Sequence, residues 1–144
     1  MSLTEIYTTE ALATGSTAQG QVRSTDGRID LNLAAASELG GDGQGSNAEQ
    51  IFAAGYAACF HSSLRLAAEN SEPDLTDSSV KARVTIGRSD DGQLDLAVTL
   101  VVDLPQLDQS HAEELVHETE KLCPYSRAVR GNIEVGFSVT GASG

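Results

Sequence analysis

Hydrophobic and polar residues alternate along two adjacent stretches in the middle of the chain. The apolar positions are Val80, Ala82, Val84 and Ile86 in the first stretch, and Leu94, Leu96, Val98, Leu100 and Val102 in the second. A period of two is typical of strands that bury one face. Residues 89–92 (SDDG) between them favour a turn. The pattern therefore predicts an antiparallel hairpin.

Strand patterns also occur near both ends of the chain. Residues 6–14 are rich in Thr, and Ile29, Leu31 and Leu33 alternate with polar residues. Residues 26–27 (Asp-Gly) are a hairpin signal between these two stretches. A last strand is predicted where four apolar residues alternate, at Ile133, Val135, Phe137 and Val139.

Two longer helices and one short helix are predicted. Ser46 and Glu49 have the spacing of a capping box, and the helix they start extends to about Asn70, with a first half that is apolar on all sides. Asp108 or Ser110 starts the second helix, whose apolar stripe is Ala112, Leu115, Val116, Thr119, Leu122 and Cys123. Pro124 ends that helix and suits the first position of a short third helix ended by Gly131.

The predicted order of elements is β-β-β-α-β-β-α-α-β, which indicates an α+β fold. With 144 residues and no visible linker, the chain is expected to be a single domain over residues 1–144. It lacks Trp and has only three Phe and three Tyr, so its core of small aliphatic side chains buries little area per residue. This composition favours a dimer.

The formal net charge of −12 argues against nucleic acid and anionic membranes as partners. The N-terminus has no basic residues followed by an apolar run, and the longest apolar run, about ten residues, is too short to cross a bilayer. A cytoplasmic location is expected. In the cytoplasm a disulfide is usually transient, and either catalytic or sensing.

The two cysteines carry most of the functional argument. Cys59 lies in the apolar part of the first helix, and is either an inert buried thiol or a reactive one supported by a cation or by hydrogen-bond donors. Cys123 is either the last apolar residue of its helix or the N-cap of the short helix, where free N–H groups would favour a thiolate. Local sequence leaves these alternatives open and, taken alone, favours Cys123 as the attacking thiol.

Glu49 is a helix-capping residue by its position. It lies about 15 Å from Cys59 along one continuous helix, at about 1.5 Å per residue, so the two cannot touch within one chain. If Glu49 serves a thiol near Cys59, a two-fold partner would have to bring it there.

A protein-bound metal is not expected. His111 and His117 are six residues apart and point to different faces of a helix. His61 has no Cys or carboxylate at ligand spacing. The sequence also lacks a CxxC pair, a phosphate-binding glycine loop and a Ser-His-Asp order.

Two segments resemble the cysteine motifs of a known family. Residues 46–60 (SNAEQIFAAGYAACF) closely resemble the first motif of the organic hydroperoxide resistance (Ohr) proteins, a branch of the OsmC/Ohr family. Residues 123–132 (CPYSRAVRGN) resemble their second motif, and Tyr125 and the RGN ending favour the Ohr branch. The Asp26-Gly27 hairpin and the loop through residues 39–41 also fit the family, so the likeness covers nearly the whole chain. The matching order and separation of the two motifs make it specific.

The resemblance implies a thiol peroxidase that reduces organic hydroperoxides and needs no cofactor. It implies that Cys59 is the peroxidatic thiol and Cys123 its resolving partner, with a lipoyl-type dithiol as reductant. It also implies an intertwined homodimer with antiparallel sheets wrapped around central helices. Glu49 occupies the place of the family's glutamate, which orients an arginine beside the reactive thiolate.

One segment departs from the family pattern. The family's arginine lies in a TGGRDG loop near the N-terminus, where this chain has residues 14–20 (TGSTAQG) and no arginine. Two alternatives follow for stabilising the thiolate: Arg23, the nearest arginine in sequence, or N–H donors alone. The same departure raises the alternative of an impaired redox sensor or small-molecule binding protein on the same fold.

Overall fold

A computed structural model describes residues 2–16, 19–69 and 71–143. The elements in chain order are β1 (Ala11–Gly15), β2 (Gln19–Ser24), β3 (Asp30–Ala34), α1 (Ala48–Ala67), β4 (Ser79–Arg88), β5 (Leu94–Asp108), α2 (Gln109–Leu122), α3 (Pro124–Val129) and β6 (Glu134–Ala142). A single 3-10 turn, Ser37–Leu39, precedes α1. The predicted order of strands and helices, and with it the α+β class, is confirmed.

The chain divides into two compact units, which join at the start of α1 between Ala48 and Glu49. The first unit contains the antiparallel sheet β1-β2-β3. The turn between β2 and β3 includes Gly27 at φ 74°, a conformation that a glycine adopts without strain, so the predicted hairpin is confirmed. The expectation of one domain stays a prediction.

Two predicted boundaries in this first unit are wrong. The predicted strand over residues 6–14 begins only at Ala11, and residues 2–10 have no strand partner among the described residues. Ser46 is not the N-cap, because α1 begins two residues later. Its backbone instead bonds to the β3 segment, donating to the carbonyl of Asn32 and accepting from Ala34. Ser46 has a side chain suited to a helix cap, but its backbone pairs with β3 instead. The predicted end of α1, Asn70, lies outside the described residues.

The second unit contains the mixed sheet β4-β5-β6, with β5 in the centre. The predicted β4–β5 hairpin is confirmed, and Val80, the first apolar position of its first arm, pairs with Val102. The expectation of antiparallel sheets fails for one pair, because β6 lies parallel to β5. The α2–α3 connection returns the chain to the end of the sheet where β5 began, and such a crossover produces parallel neighbours.

One hydrophobic core fills the second unit. It joins α1, β5 and α2, and its fully buried side chains include Tyr56, Phe60, Leu64, Leu100, Leu104 and Val102. Phe60 also contacts Phe137 of β6, with ring centroids 5.7 Å apart. Asp108 caps α2 by accepting a hydrogen bond from the N–H of His111 at 2.9 Å, which confirms the predicted start. The core thus fixes α1 relative to the break between α2 and α3.

We expect Leu100→Ala to destabilise the protein by about 2–5 kcal/mol, because it opens a cavity at a fully buried position of the central strand. Urea unfolding followed by circular dichroism measures this change. Leu94→Ala in the same strand is the matched control. Leu94 is 55% exposed, so its truncation should change the free energy of unfolding by less than about 0.5 kcal/mol. Equal effects of the two variants would contradict this account of the core.

Candidate active site

The two thiols, 64 positions apart in sequence, lie in contact. The sulfur atoms of Cys59 and Cys123 are 3.5 Å apart, and the Cys123 thiol donates a hydrogen bond to the Cys59 sulfur. Both cysteines are free thiols; Cys59 is half-buried and Cys123 is fully buried. A disulfide requires the sulfurs to move about 1.5 Å closer, to the covalent length of about 2.05 Å. Small side-chain rotations supply such a movement, so the pair can be oxidised without refolding.

Cys123 is held by the break between two helices. It is at once the C-cap of α2 and the N-cap of α3, with Pro124 at the first helical position, as predicted. Its N–H donates to the carbonyl of Thr119 at 2.9 Å, and its carbonyl accepts from the N–H of Arg127 at 3.0 Å. Because its N–H and its carbonyl are both hydrogen-bonded, the backbone of Cys123 holds the side chain in a fixed position. The thiol makes no capping hydrogen bond to α3, and it is directed at Cys59 instead.

The first free N–H of α3 serves Cys59 and not Cys123. The backbone N–H of Tyr125 is hydrogen-bonded to the Cys59 sulfur. Local sequence had suggested that the start of α3 would stabilise a Cys123 thiolate, but this donor is directed at the other thiol. The direction of an N–H group depends on how α1 packs on α3, which the local sequence does not reveal.

The pKa of the Cys59 thiol lies above its usual range. Burial is the largest cause, because it disfavours the charged thiolate. The Tyr125 N–H lowers the pKa, the neighbouring Cys123 raises it, and the hydroxyl of Ser63 lowers it by a smaller amount. The site therefore contains donors that support a thiolate, but burial outweighs them in the isolated chain.

Two serine hydroxyls converge on the backbone of Cys59. Ser63 Oγ donates to the Cys59 carbonyl at 2.8 Å and Ser62 Oγ donates to the same oxygen at 3.0 Å. The single proton of Ser63 cannot serve the carbonyl and the sulfur together, and the short O–H···O distance assigns it to the carbonyl while Cys59 is protonated. After ionisation it can turn to the sulfur, because Ser62 still satisfies the carbonyl.

We expect Ser63→Ala to raise the pKa of Cys59 further and to slow its alkylation at neutral pH by about tenfold, since a hydrogen bond to a charged group is lost. Reactivity should increase with pH in both proteins, because the thiolate fraction grows as pH approaches the raised pKa. Stopped-flow alkylation between pH 6 and 10 measures this profile. Ser62→Ala removes a hydroxyl from the same carbonyl and should leave the profile unchanged. Identical profiles for Ser63→Ala and wild type would contradict this role.

Three aromatic side chains form a cluster on the helices next to the thiols. The ring of Tyr56 lies 6.0 Å from that of Phe52 and 5.9 Å from that of Tyr125. Gly55 makes room for the last of these, because a Cβ atom there would lie 3.2 Å from two atoms of the Tyr125 side chain. Tyr125 remains 43% exposed. Tyr125, whose N–H bonds to the Cys59 sulfur, thus adds partly exposed aromatic surface near this thiol.

Glu49 is not brought to the thiols within the chain. It is half-buried in the first turn of α1, where the positive end of the helix dipole stabilises its negative charge. Ten residues of continuous helix separate it from Cys59, about 15 Å along the axis. Among the residues that the structure describes, no ion pair or side-chain hydrogen bond involves Glu49.

The residues that surround the thiols match a family model. The model of the OsmC-like proteins matches residues 41–138, a span that includes both cysteines and all of α1, α2 and α3.

The chain belongs to the OsmC-like protein family.

Its relatives include proteins of the Ohr branch. The organic hydroperoxide resistance protein of Xanthomonas axonopodis pv. citri is 39% identical over 136 residues, covering 93% of this chain and 94% of the relative. An organic hydroperoxide resistance protein from Elizabethkingia anophelis has a similar structure, with a TM-score of 0.90 and 36% identity over 96% of this chain and 99% of that chain. The structure of an organic hydroperoxide resistance protein from Legionella pneumophila gives a TM-score of 0.89 and 42% identity, over 95% of this chain and 99% of that chain. The resemblance to the Ohr branch is therefore confirmed.

The segment that departs from the Ohr pattern lies in the first unit. β1 ends at Gly15 and β2 begins at Gln19, and Thr17 and Ala18 between them lie outside the described residues. Arg23 is on β2, with its Nε 4.0 Å from the Asp30 carboxylate and its side chain 65% exposed. Its only ion pair among the described residues is thus with a neighbouring strand, and its service to the thiol stays a prediction.

No metal site is present in the described residues, 2–16, 19–69 and 71–143. They contain no group of three or more His, Cys, Asp or Glu side chains that could hold a metal ion. Their helices are too short or too polar to pass through a bilayer. Sequence reasoning missed Ser63, the Tyr125 N–H and a buried pair formed by Tyr56 and Ser126. The Tyr56–Ser126 pair could have been found from the sequence, because Tyr56 is three residues before Cys59 and Ser126 is three residues after Cys123.

Proposed function

We propose that the protein is a cysteine-based peroxidase that reduces organic hydroperoxides to alcohols. The observation that carries this proposal is the 3.5 Å contact between a half-buried and a buried free thiol. Two inert thiols have no need to meet, whereas a peroxidatic and a resolving thiol must. The similarity to organic hydroperoxide resistance proteins supports the same substrate class.

In the first step the Cys59 thiolate attacks the terminal peroxide oxygen of ROOH. The O–O bond breaks, Cys59 becomes a sulfenic acid, and the alkoxide leaves as ROH after taking a proton. The thiol is oxidised by two electrons and the peroxide is reduced by two. The Tyr125 N–H and, after its rotation, the Ser63 hydroxyl support the attacking thiolate. Apolar neighbours favour bulky organic substrates over hydrogen peroxide.

In the second step the Cys123 thiol condenses with the sulfenic acid. A disulfide forms and one water leaves, so the more oxidised sulfinic acid is avoided. A dithiol then attacks the disulfide and returns both cysteines to thiols, while it becomes a disulfide itself. We propose a lipoyl-type dithiol as this reductant, following the family resemblance. The reaction as written requires no metal, flavin or haem.

We also propose that the working form is a cytoplasmic homodimer. Glu49 is too far from Cys59 in its own chain, so only a second copy could bring a Glu49 carboxylate to a site. The large exposed side chains of Leu3, Ile6 and Tyr7 supply apolar surface for such an assembly. Light scattering coupled to gel filtration measures the mass, and a monomer would remove this role for Glu49.

A second candidate is an impaired redox sensor or small-molecule binding protein. The raised pKa of Cys59 and the absence of arginine in residues 14–20 favour it. The two candidates differ in rate. An enzyme turns over rapidly with a dithiol, whereas a sensor oxidises slowly and is reduced slowly.

The test adds one to ten equivalents of cumene hydroperoxide to the reduced protein and counts free thiols. Loss of both thiols with one equivalent of alcohol formed supports the peroxidase, and survival of both thiols overturns it. Steady-state turnover is then compared with dihydrolipoamide and with thioredoxin as reductants. Faster turnover with thioredoxin would overturn the lipoyl proposal. Oxidation without turnover on either reductant would favour the sensor.

A further inference from the structure

A second contact joins the same helices beside the two thiols. Tyr56 Oη and Ser126 Oγ lie 2.8 Å apart, and 70 residues separate them in sequence. Tyr56 is on α1 and Ser126 is on α3, and both side chains are buried. Together with the sulfur contact and the hydrogen bond from the Tyr125 N–H to the Cys59 sulfur, this bond ties α1 to α3.

The two contacts are in register. Tyr56 precedes Cys59 by three residues on α1, and Ser126 of α3 follows Cys123, the N-cap of that helix, by three residues. Residues three apart are neighbours on one face of a helix. The hydroxyl pair is therefore one helical turn from the sulfur pair. Two links at this spacing fix both the distance and the relative rotation of the two segments.

The hydroxyl pair can act as a rigid link. The Tyr56 ring is held between the rings of Phe52 and Tyr125, and its hydroxyl is completely buried. Burial also raises the pKa of Tyr56, so its hydroxyl keeps its proton. Removing one partner would leave the other hydroxyl buried without its hydrogen bond, which is more costly than removing both.

We propose that Tyr56 and Ser126 are positioning residues for disulfide formation. This inference rests on the proposed peroxidase function. The hydrogen bond keeps Cys123 beside Cys59 after Cys59 has become a sulfenic acid. Two reactions compete for that acid: condensation with the Cys123 thiol, which releases water, and attack on a second ROOH, which gives sulfinic acid and ROH. A fixed separation accelerates the first reaction only.

The test compares Tyr56→Phe, Ser126→Ala and the double variant with wild type. Each reduced protein receives excess cumene hydroperoxide without a reductant, and intact mass spectrometry gives the ratio of sulfinic acid to disulfide. We expect this ratio to increase about tenfold in each single variant, because small misplacements are costly in such steps. The initial rate of Cys59 oxidation should change by less than about twofold. The double variant should show the same increase as the single variants, because the link is already lost in each of them.

Thr119→Val is the matched control. Thr119 is also completely buried, but its hydroxyl bonds to the Leu115 carbonyl of its own helix at 2.7 Å. Its loss should leave the sulfinic ratio at the wild-type value. If Tyr56→Phe and Ser126→Ala behave like Thr119→Val, the inference is wrong. If either single variant fails to fold, the double variant and the remaining single variant decide.

A second readout is independent of peroxide chemistry. Each protein is equilibrated with mixtures of oxidised and reduced lipoamide, and the fraction of Cys59–Cys123 disulfide is measured. Loss of the link should lower the equilibrium constant for disulfide formation about tenfold, because the effective concentration of one thiol at the other falls. An unchanged constant would overturn the positioning role. If wild type forms the disulfide here but does not consume hydroperoxide, the peroxidase proposal alone has failed.

Discussion

Cys59→Ser abolishes turnover of organic hydroperoxides, on our account of the site. A serine hydroxyl is not ionised at neutral pH and does not form a stable oxidised intermediate with a peroxide, so no covalent step remains. We expect kcat/KM to fall by more than about a thousandfold, as is common when a nucleophile is removed. Consumption of cumene hydroperoxide with dihydrolipoamide in excess measures the loss.

The substitution is mild in structural terms. Cys59 is half-buried and serine differs from it by one atom, so circular dichroism and the thermal midpoint should stay close to wild type. The remaining thiol, Cys123, is completely buried and should react slowly with hydroperoxide. Turnover within tenfold of wild type would contradict the assignment of Cys59 and would point to Cys123 as the attacking thiol.

The order of elements was predictable because each one has a local signal. The alternation between Val80 and Ile86 indicates a strand before any partner is known. Asp108 and Pro124 mark the ends of α2 by side-chain and backbone chemistry that acts within a few residues. Such signals survive folding because tertiary packing reinforces them.

Pairing between elements was less predictable. Nothing in the residues of β6 distinguishes a parallel from an antiparallel partner, since both bury alternate side chains. Ser46 has the side chain of an N-cap, but its backbone was needed beside β3. In both cases a contact distant in sequence decided between two conformations that the local residues allow equally.

The site shows the same division. The resemblance to the Ohr motifs named Cys59 and Cys123, and the structure brings their sulfurs into contact. The donor from Tyr125 and the two serines on the Cys59 carbonyl depend on the packing of α3 against α1 and on local helix geometry. The motif also identified Glu49 as a candidate site residue, but within one chain Glu49 lies too far from Cys59 to act on it.

Removing the resolving thiol should separate the two chemical steps. In Cys123→Ser we expect the first oxidation of Cys59 to stay close to the wild-type rate, because the Tyr125 N–H and the Ser63 hydroxyl, which lower the pKa of Cys59, are unchanged. A serine hydroxyl in the same place can still donate a hydrogen bond to the thiolate. Rapid mixing with one equivalent of cumene hydroperoxide should give one equivalent of alcohol.

Turnover should then stop, because the sulfenic acid has no internal partner. Its reduction becomes a bimolecular reaction with external dithiol, and we expect steady-state turnover to fall at least about a hundredfold when the intramolecular step is lost. Trapping with dimedone should detect the sulfenic acid, and excess hydroperoxide should convert it to sulfinic acid. Full turnover without Cys123 would mean that the 3.5 Å contact is structural and that the external dithiol reduces Cys59 directly.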